Sequence, residues 1–248
     1  LPHDADLQGE INMLDEYFTL VRESWQKTHG EKALLWQGYG LAAFVFSVAV
    51  LLPIAALLIY FNFSFSQPLF SGFSNAVLTI TLLTVITIIG ILYSMFLFAA
   101  IPYLSLRYLR NDPLTFSLAA RKALVHKWSL FINWFLFAAI YGFIYRFLKS
   151  GFACDQCTLI VACLFTILHM ILAFAILEVL DKNESAFTAF INAWQFFFKN
   201  ILFCLLVAIW LLCLSIFSVV TLFVGSIWAV PAKYNAIALL YDRVRSSC

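Results

Sequence analysis

The chain has 248 residues, of which 64% are hydrophobic, 18% aromatic and only 11% charged, with a formal net charge of +2. So little polar surface cannot cover a soluble globule of this size, which excludes a soluble metabolite or nucleic-acid enzyme. The near-neutral balance gives no electrostatic footprint for nucleic acid, and apolar runs of about 18 residues or more read as bilayer spans.

The first predicted element is an amphipathic helix within residues 1–30. Leu7, Ile11, Leu14, Phe18, Val21 and Trp25 recur at spacings of four, three, four, three and four, which draws one apolar stripe. The polar side is acidic at first (Asp4, Asp6, Glu10, Asp15, Glu16) and basic later (Arg22, Lys27), the order that suits the helix dipole. A helix made for anionic lipid would carry Lys and Arg throughout. The stripe is therefore expected to lie on protein, either the underside of its own bundle or a docking partner. No basic n-region with a short apolar h-region precedes the first span, so no secretory signal is expected. Residues 31–248 read as the membrane domain.

The first span is expected over 33–61, kinked at Pro53. An uncharged loop rich in Phe and Ser follows over 62–75, then a second span over 76–103. Five cations, Arg107, Arg110, Arg121, Lys122 and Lys127, surround the segment 111–128, NDPLTFSLAARKALVHKW. A third span over 128–148 and a fourth over 158–180 flank the short loop KSGFACDQC.

The segment 183–200, NESAFTAFINAWQFFFKN, looks like a second copy of 111–128. Each opens with Asn and an acid, is read as about four helical turns, and closes beside a Lys just before an apolar run. Projected on a helix, Glu184, Ser185, Thr188, Asn192, Gln195 and Lys199 share one arc, and Phe187, Phe190, Ile191, Trp194, Phe197 and Phe198 oppose them. A helix lying flat at the interface is the expectation. In the first copy Thr115, Lys122 and His126 lie away from Leu114, Leu118 and Val125. The copies align at an offset of 72 or 73 residues.

The stretch 201–241 is long enough for two spans and has one breaker, at Gly225 and Ser226. Six spans place thirteen of the fifteen Lys and Arg on one side, leaving only Arg146 and Lys149 opposite. That asymmetry puts both termini in the cytoplasm. Five spans would force Lys233, Arg243 and Arg245 across. The predicted fold is an all-α polytopic membrane bundle: six transmembrane helices as three hairpins, each preceded by a cytoplasmic amphipathic helix.

The closing stretch VTLFVGSIWAVPAKYNAIALLYDRV, with Gly225, Pro231, Tyr234 and Tyr241 leading to Asp242 and Arg243, resembles the end of uncharacterised six-span bacterial inner-membrane protein families. SAFTAFINAWQFFFKN resembles the segment those families place before their fifth span. The layout is also similar to the membrane domain fused to some glycerophosphodiester phosphodiesterases, without a hydrolase domain to match. The resemblance implies a fold and a compartment, the bacterial inner membrane, and no activity.

Chemistry is sparse. Cys154 and Cys157 form a CxxC in an outer loop before a helix start, where the dipole favours thiolate. A thiol oxidoreductase would need a second outer pair as relay, and Cys163, Cys204, Cys213 and Cys248 lie in spans or the tail, so a loop-stiffening disulfide is the simpler reading. His169 falls mid-span and Lys233 is buried below the outer surface, with Glu178 near the inner end of the fourth span; an intramembrane polar site is one reading, and a core histidine with a snorkelling lysine the other. No metal site and no cofactor is expected, since HExxH, P-loop and glycine-rich phosphate motifs are lacking. The function expected is that of a non-catalytic subunit or assembly partner of a larger membrane complex, with membrane lipids around it. A transporter or lipid-handling protein is the alternative, and a thiol oxidoreductase the second.

Overall fold

The computed structural model describes residues 13–28, 73–112, 114–151, 157–221 and 226–246, together with scattered helical positions at 35, 38–41, 44–45, 48 and 53. Every regular element among them is a helix. Residues 13–28 form α1; then follow α2 (Phe73–Leu109), α3 (Phe116–Val125), α4 (Lys127–Gly151), α5 (Cys157–Lys182), α6 (Ala186–Lys199), α7 (Ile201–Val220) and α8 (Ser226–Ser246).

Four helices are long and apolar enough to cross a membrane among the described residues: Leu83–Leu109, Lys127–Phe147, Ile160–Lys182 and Ile201–Ser218. The expected first span lies largely outside the described residues, and its predicted kink at Pro53 falls on a helical, buried position. The break expected at Gly225 and Ser226 falls between α7 and α8. However, α8 is long without being apolar, because it carries Lys233, Asn235, Asp242 and Arg243.

α8 is nonetheless the most enclosed of these helices. From Ala229 to Tyr241 every residue except Lys233 is buried, and α8 touches α2, α5 and α7. α5 is the other central helix, in contact with α2, α4, α6, α7 and α8. Its run from Met170 to Leu180 is buried throughout, so it is apolar all round, as a helix packed on every side must be. Many large side chains face outward on α2, α4 and α7, among them Ile89, Phe135, Phe143, Leu202 and Ile209.

The two similar segments fold alike, and the details explain their ambiguous offset. Each preceding helix ends on an asparagine with positive φ, Asn111 (φ 56°) and Asn183 (φ 59°), 72 residues apart. After α2 the Asp112 amide donates to Arg107 O and the Asn111 amide to Tyr108 O, both at 3.0 Å, which is the double closure of a Schellman cap. After α5 the Glu184 amide reaches back to Glu178 O at 3.4 Å. The next helices are capped by Thr115 and Ser185, now 70 residues apart. They end at His126 and Asn200, 74 apart, because α6 has 14 residues where α3 has 10. The loop is shorter in the second copy and the helix is one turn longer, so no single period fits. The first copy is therefore not a helix over all of 111–128: the left-handed turn at Asn111 delays it to Phe116.

The faces turned into the bundle are set mainly by alanines. α3 buries Ala119 and Ala123, and α6 buries Ala186, Ala189, Ala193 and Phe197. Ala119/Ala189 and Ala123/Ala193 keep the 70-residue offset of the caps. Small side chains let these helices approach the bundle closely, which leaves Phe187, Ile191 and Phe198 exposed rather than buried with the other aromatics. Both helices then continue into a span through the same joint: the Leu130 amide donates to His126 O and the Cys204 amide to Asn200 O.

Candidate functional site

A group of polar side chains lies where α2, α5 and α8 meet, in layers along α8. Near the ends of the three helices Arg110, just beyond α2, donates from Nη1 to both carboxylate oxygens of Asp181 on α5 at 2.9 Å. Its Nε donates to Asp242 Oδ1 on α8 at 2.8 Å. One guanidinium thus clasps three helices, a role its planar fork fits better than a lysine would. Burial opposes its charge, and the hydrogen bonds to Asp242 and Asp181 outweigh that, so its pKa stands above the ordinary arginine value. Arg107 pairs with Asp112 beside it and helps hold the turn at Asn111.

One turn further in, the wholly buried Tyr241 directs its hydroxyl at Glu178, itself only 3% exposed. Across α2 and α8 the buried Ser105 hydroxyl donates to Asn235 Oδ1. The Asn235 amide nitrogen finds no partner among the described residues. Deeper still, the His169 ring lies between Phe165, stacked at 6.4 Å, and Tyr234, edge-on at 6.3 Å. Lys233 is half-buried and close enough to His169 to act on it electrostatically.

The three residues grouped from sequence therefore separate. His169 and Lys233 come together with Tyr234, whereas Glu178 belongs to the layer of Tyr241 and Arg110. Nine residues of α5 separate His169 from Glu178, about 13 Å along the axis, so the Lys233–Glu178 pair considered from sequence does not form. The clasp and the Ser105–Asn235 bond escaped the sequence reading. Their signal was the seven-residue spacing in α8 of Asn235 with Asp242 and of Tyr234 with Tyr241, which places each pair on one face.

Cys154 lies outside the described residues, as does the side chain of Cys157 at the start of α5, so the CxxC has no described geometry. Cys163, Cys204 and Cys213 are free thiols. Among the described residues no three His, Cys, Asp or Glu side chains cluster as metal ligands.

The N-terminal stripe divides. Leu7 and Ile11 lie outside the described residues, Leu14 and Phe18 are exposed, and Val21 and Trp25 are half-buried. The face that packs inward is the adjacent one: Leu20, Ser24 and Thr28 are buried, with Tyr17 against the core. Ser24 and Thr28 can be buried because their hydroxyls donate to Val21 O and Ser24 O within α1, at 2.8 and 2.7 Å. Arg243 of α8 holds α1, donating to Glu23 Oε2 at 2.8 Å and to Glu16 O at 3.2 Å. Met13 and Glu16 lie beside the first turn of α7, and Trp25 meets Trp210 edge-on at 6.5 Å and packs on Leu214, Ala229 and Ala232. α1 therefore does not lie flat across the bundle end. It runs beside α7 from its start to about its middle.

Comparison with known proteins finds no family model, no curated protein and no solved structure that matches this chain.

Proposed function

We propose that this chain is a non-catalytic, six-span protein of a bacterial inner membrane, with both termini cytoplasmic, and that it serves as a subunit or assembly partner of a larger membrane complex. The observation that carries the reading is the outward face of α1. Arg22, Gln26 and Lys27 are exposed on a helix that runs beside the apolar α7 to the level of Trp210. Lys27 stands eleven residues beyond Glu16, about 16 Å further along the axis of α1. Charged groups beside an apolar helix such as α7 are costly in hydrocarbon and call for cover by protein. Leu14 and Phe18, on the side of Arg22, add apolar area to such a contact, and the acids Asp15 and Glu16 oppose contact with an anionic leaflet. The partner is accordingly a membrane protein that presents acidic or hydrogen-bonding groups opposite Arg22 and Lys27.

Mild solubilisation and co-purification test the reading. A stoichiometric partner is expected, lost in the Arg22→Glu, Lys27→Glu variant while the bundle still inserts. A monomer in which Lys27→Cys reacts freely with an impermeant maleimide added to inside-out vesicles would place this face in water and remove the argument. The layered polar groups at His169, Lys233 and Tyr234 favour a second reading, a transporter or lipid-handling protein; substrate-dependent protection of Tyr234→Cys from labelling would support it.

A further inference from the structure

A cavity of about 670 Å³ opens where α6 passes into α7, lined by Met13, Glu16, Lys199, Asn200, Ile201, Leu202, Phe203 and Arg243. Its place in the fold is a membrane boundary, because Ile201 begins one of the four apolar helices and Lys199 is the last residue of a short helix that leads into it. The walls divide by chemistry. Lys199 is exposed and has no ion-pair partner among the described residues. Arg243 is held against α1 by Glu23 and by Glu16 O, so its guanidinium has a fixed position. The Glu16 carboxylate supplies a negative charge on the wall that α1 contributes. Below them, Ile201 and Leu202 are 41% and 64% exposed, so the cavity is continuous with the apolar outer surface of α7.

We infer that this cavity seats the headgroup of a membrane phospholipid that carries both a phosphate and an ammonium, as a phosphoethanolamine lipid does. Two cations at fixed or adjustable positions suit a phosphate, with Arg243 as the oriented donor and Lys199 as the mobile point charge. Glu16 suits the ammonium. Ile201, Leu202 and Phe203 guide the acyl chains out along α7. The volume falls within the range of small-ligand sites. A purely anionic headgroup would set its second negative or hydroxyl end against Glu16 and is the poorer fit. The site does not depend on the partner proposed above, since it lies at the first turn of α1, eleven residues and about 16 Å along the helix before Lys27.

The test uses the full chain in detergent, read by native mass spectrometry and thermal stability, with dioleoyl-phosphatidylethanolamine, dioleoyl-phosphatidylglycerol, dioleoylglycerol and inorganic phosphate as probes. The ethanolamine lipid should bind best and dioleoylglycerol at least tenfold more weakly, because it lacks the phosphate. Lys199→Glu, at an exposed position, should weaken both phospholipids by about tenfold, the scale of one charged hydrogen bond. Glu16→Gln should abolish the preference for the ethanolamine over the glycerol lipid while leaving the latter's binding in place. Equal binding of dioleoylglycerol, or no change in Lys199→Glu, overturns the site. Glycerol lipid favoured over ethanolamine lipid in the unaltered chain overturns the ammonium assignment, and equal protection by inorganic phosphate overturns the lipid.

Discussion

Replacing Arg110 by Ala removes three charged hydrogen bonds at once and separates the ends of α2, α5 and α8. A hydrogen bond to a charged partner contributes about 1.5–3 kcal/mol when well enclosed, and exposed ion pairs contribute about 0.2–1 kcal/mol. The arm to Asp181 belongs nearer the first class, since that carboxylate is 13% exposed, and the arm to Asp242 nearer the second at 42%. With Arg110 itself 32% exposed, the two arms together come to roughly 2 kcal/mol, or about 4–8 °C in melting temperature for a chain of this length. Thermal or detergent-driven unfolding of the purified chain measures this. The Arg110→Ala, Asp181→Ala double variant should show a coupling close to the larger arm, and Arg110→Lys should recover only part of the loss, because a lysine cannot span both acids. The folded-state pKa of Arg110 lies above its unfolded value, so its contribution is fully present below the unfolded value and is lost only as pH rises through the folded one. The difference between variant and parent should accordingly be the same at pH 7 and pH 10. A melting temperature unchanged by Arg110→Ala, with no coupling to either acid, would refute the clasp.

Two glycines give opposite signs. A Cβ on Gly38 would stand 2.6 Å from the Phe116 ring, whereas one on Gly40 meets nothing within 4 Å. Gly38→Ala is expected to destabilise by about 1–3 kcal/mol through overpacking and to be relieved by Phe116→Leu, while Gly40→Ala is neutral or stabilises by up to about 1 kcal/mol, as unfolding measurements of the three variants will tell. Asn111→Ala and Asn183→Ala should each cost about 1 kcal/mol and the glycine replacements should not, because φ near +60° disfavours a Cβ. Ala189→Leu should push α6 off α5, seen as faster proteolysis within 183–200 and a loss of stability of about 1–3 kcal/mol or more, since the contact depends on a small side chain.

Composition alone pointed to a membrane, because apolar area on that scale has no soluble solution, and four of the described helices are long and apolar enough to cross one. Three of the expected spans have their starts matched closely: α4, α5 and α7 begin at or next to the expected positions, since a helix start is marked by local chemistry that the sequence displays directly. The repeated segments were visible for the same reason, as each carries its own Asn turn and cap. What sequence could not supply is which way each helix faces. A soluble helix reveals its buried side by where polarity begins, but α5 is apolar all round and carries no such mark. α6 shows the same gap: its apolar arc was legible, but lipid tolerates Phe187 and Phe198 on the outside while close packing selects alanine for the inside. α1 shows the limit from the other direction: its apolar stripe was legible, yet the face that packs is the one with Leu20, Ser24 and Thr28, chosen by the shape of the groove beside α7 and by the self-satisfied hydroxyls. The clasp at Arg110 and the Ser105–Asn235 bond join residues 71 and 130 positions apart in the sequence, and only the meeting of α2, α5 and α8 brings them within hydrogen-bonding distance.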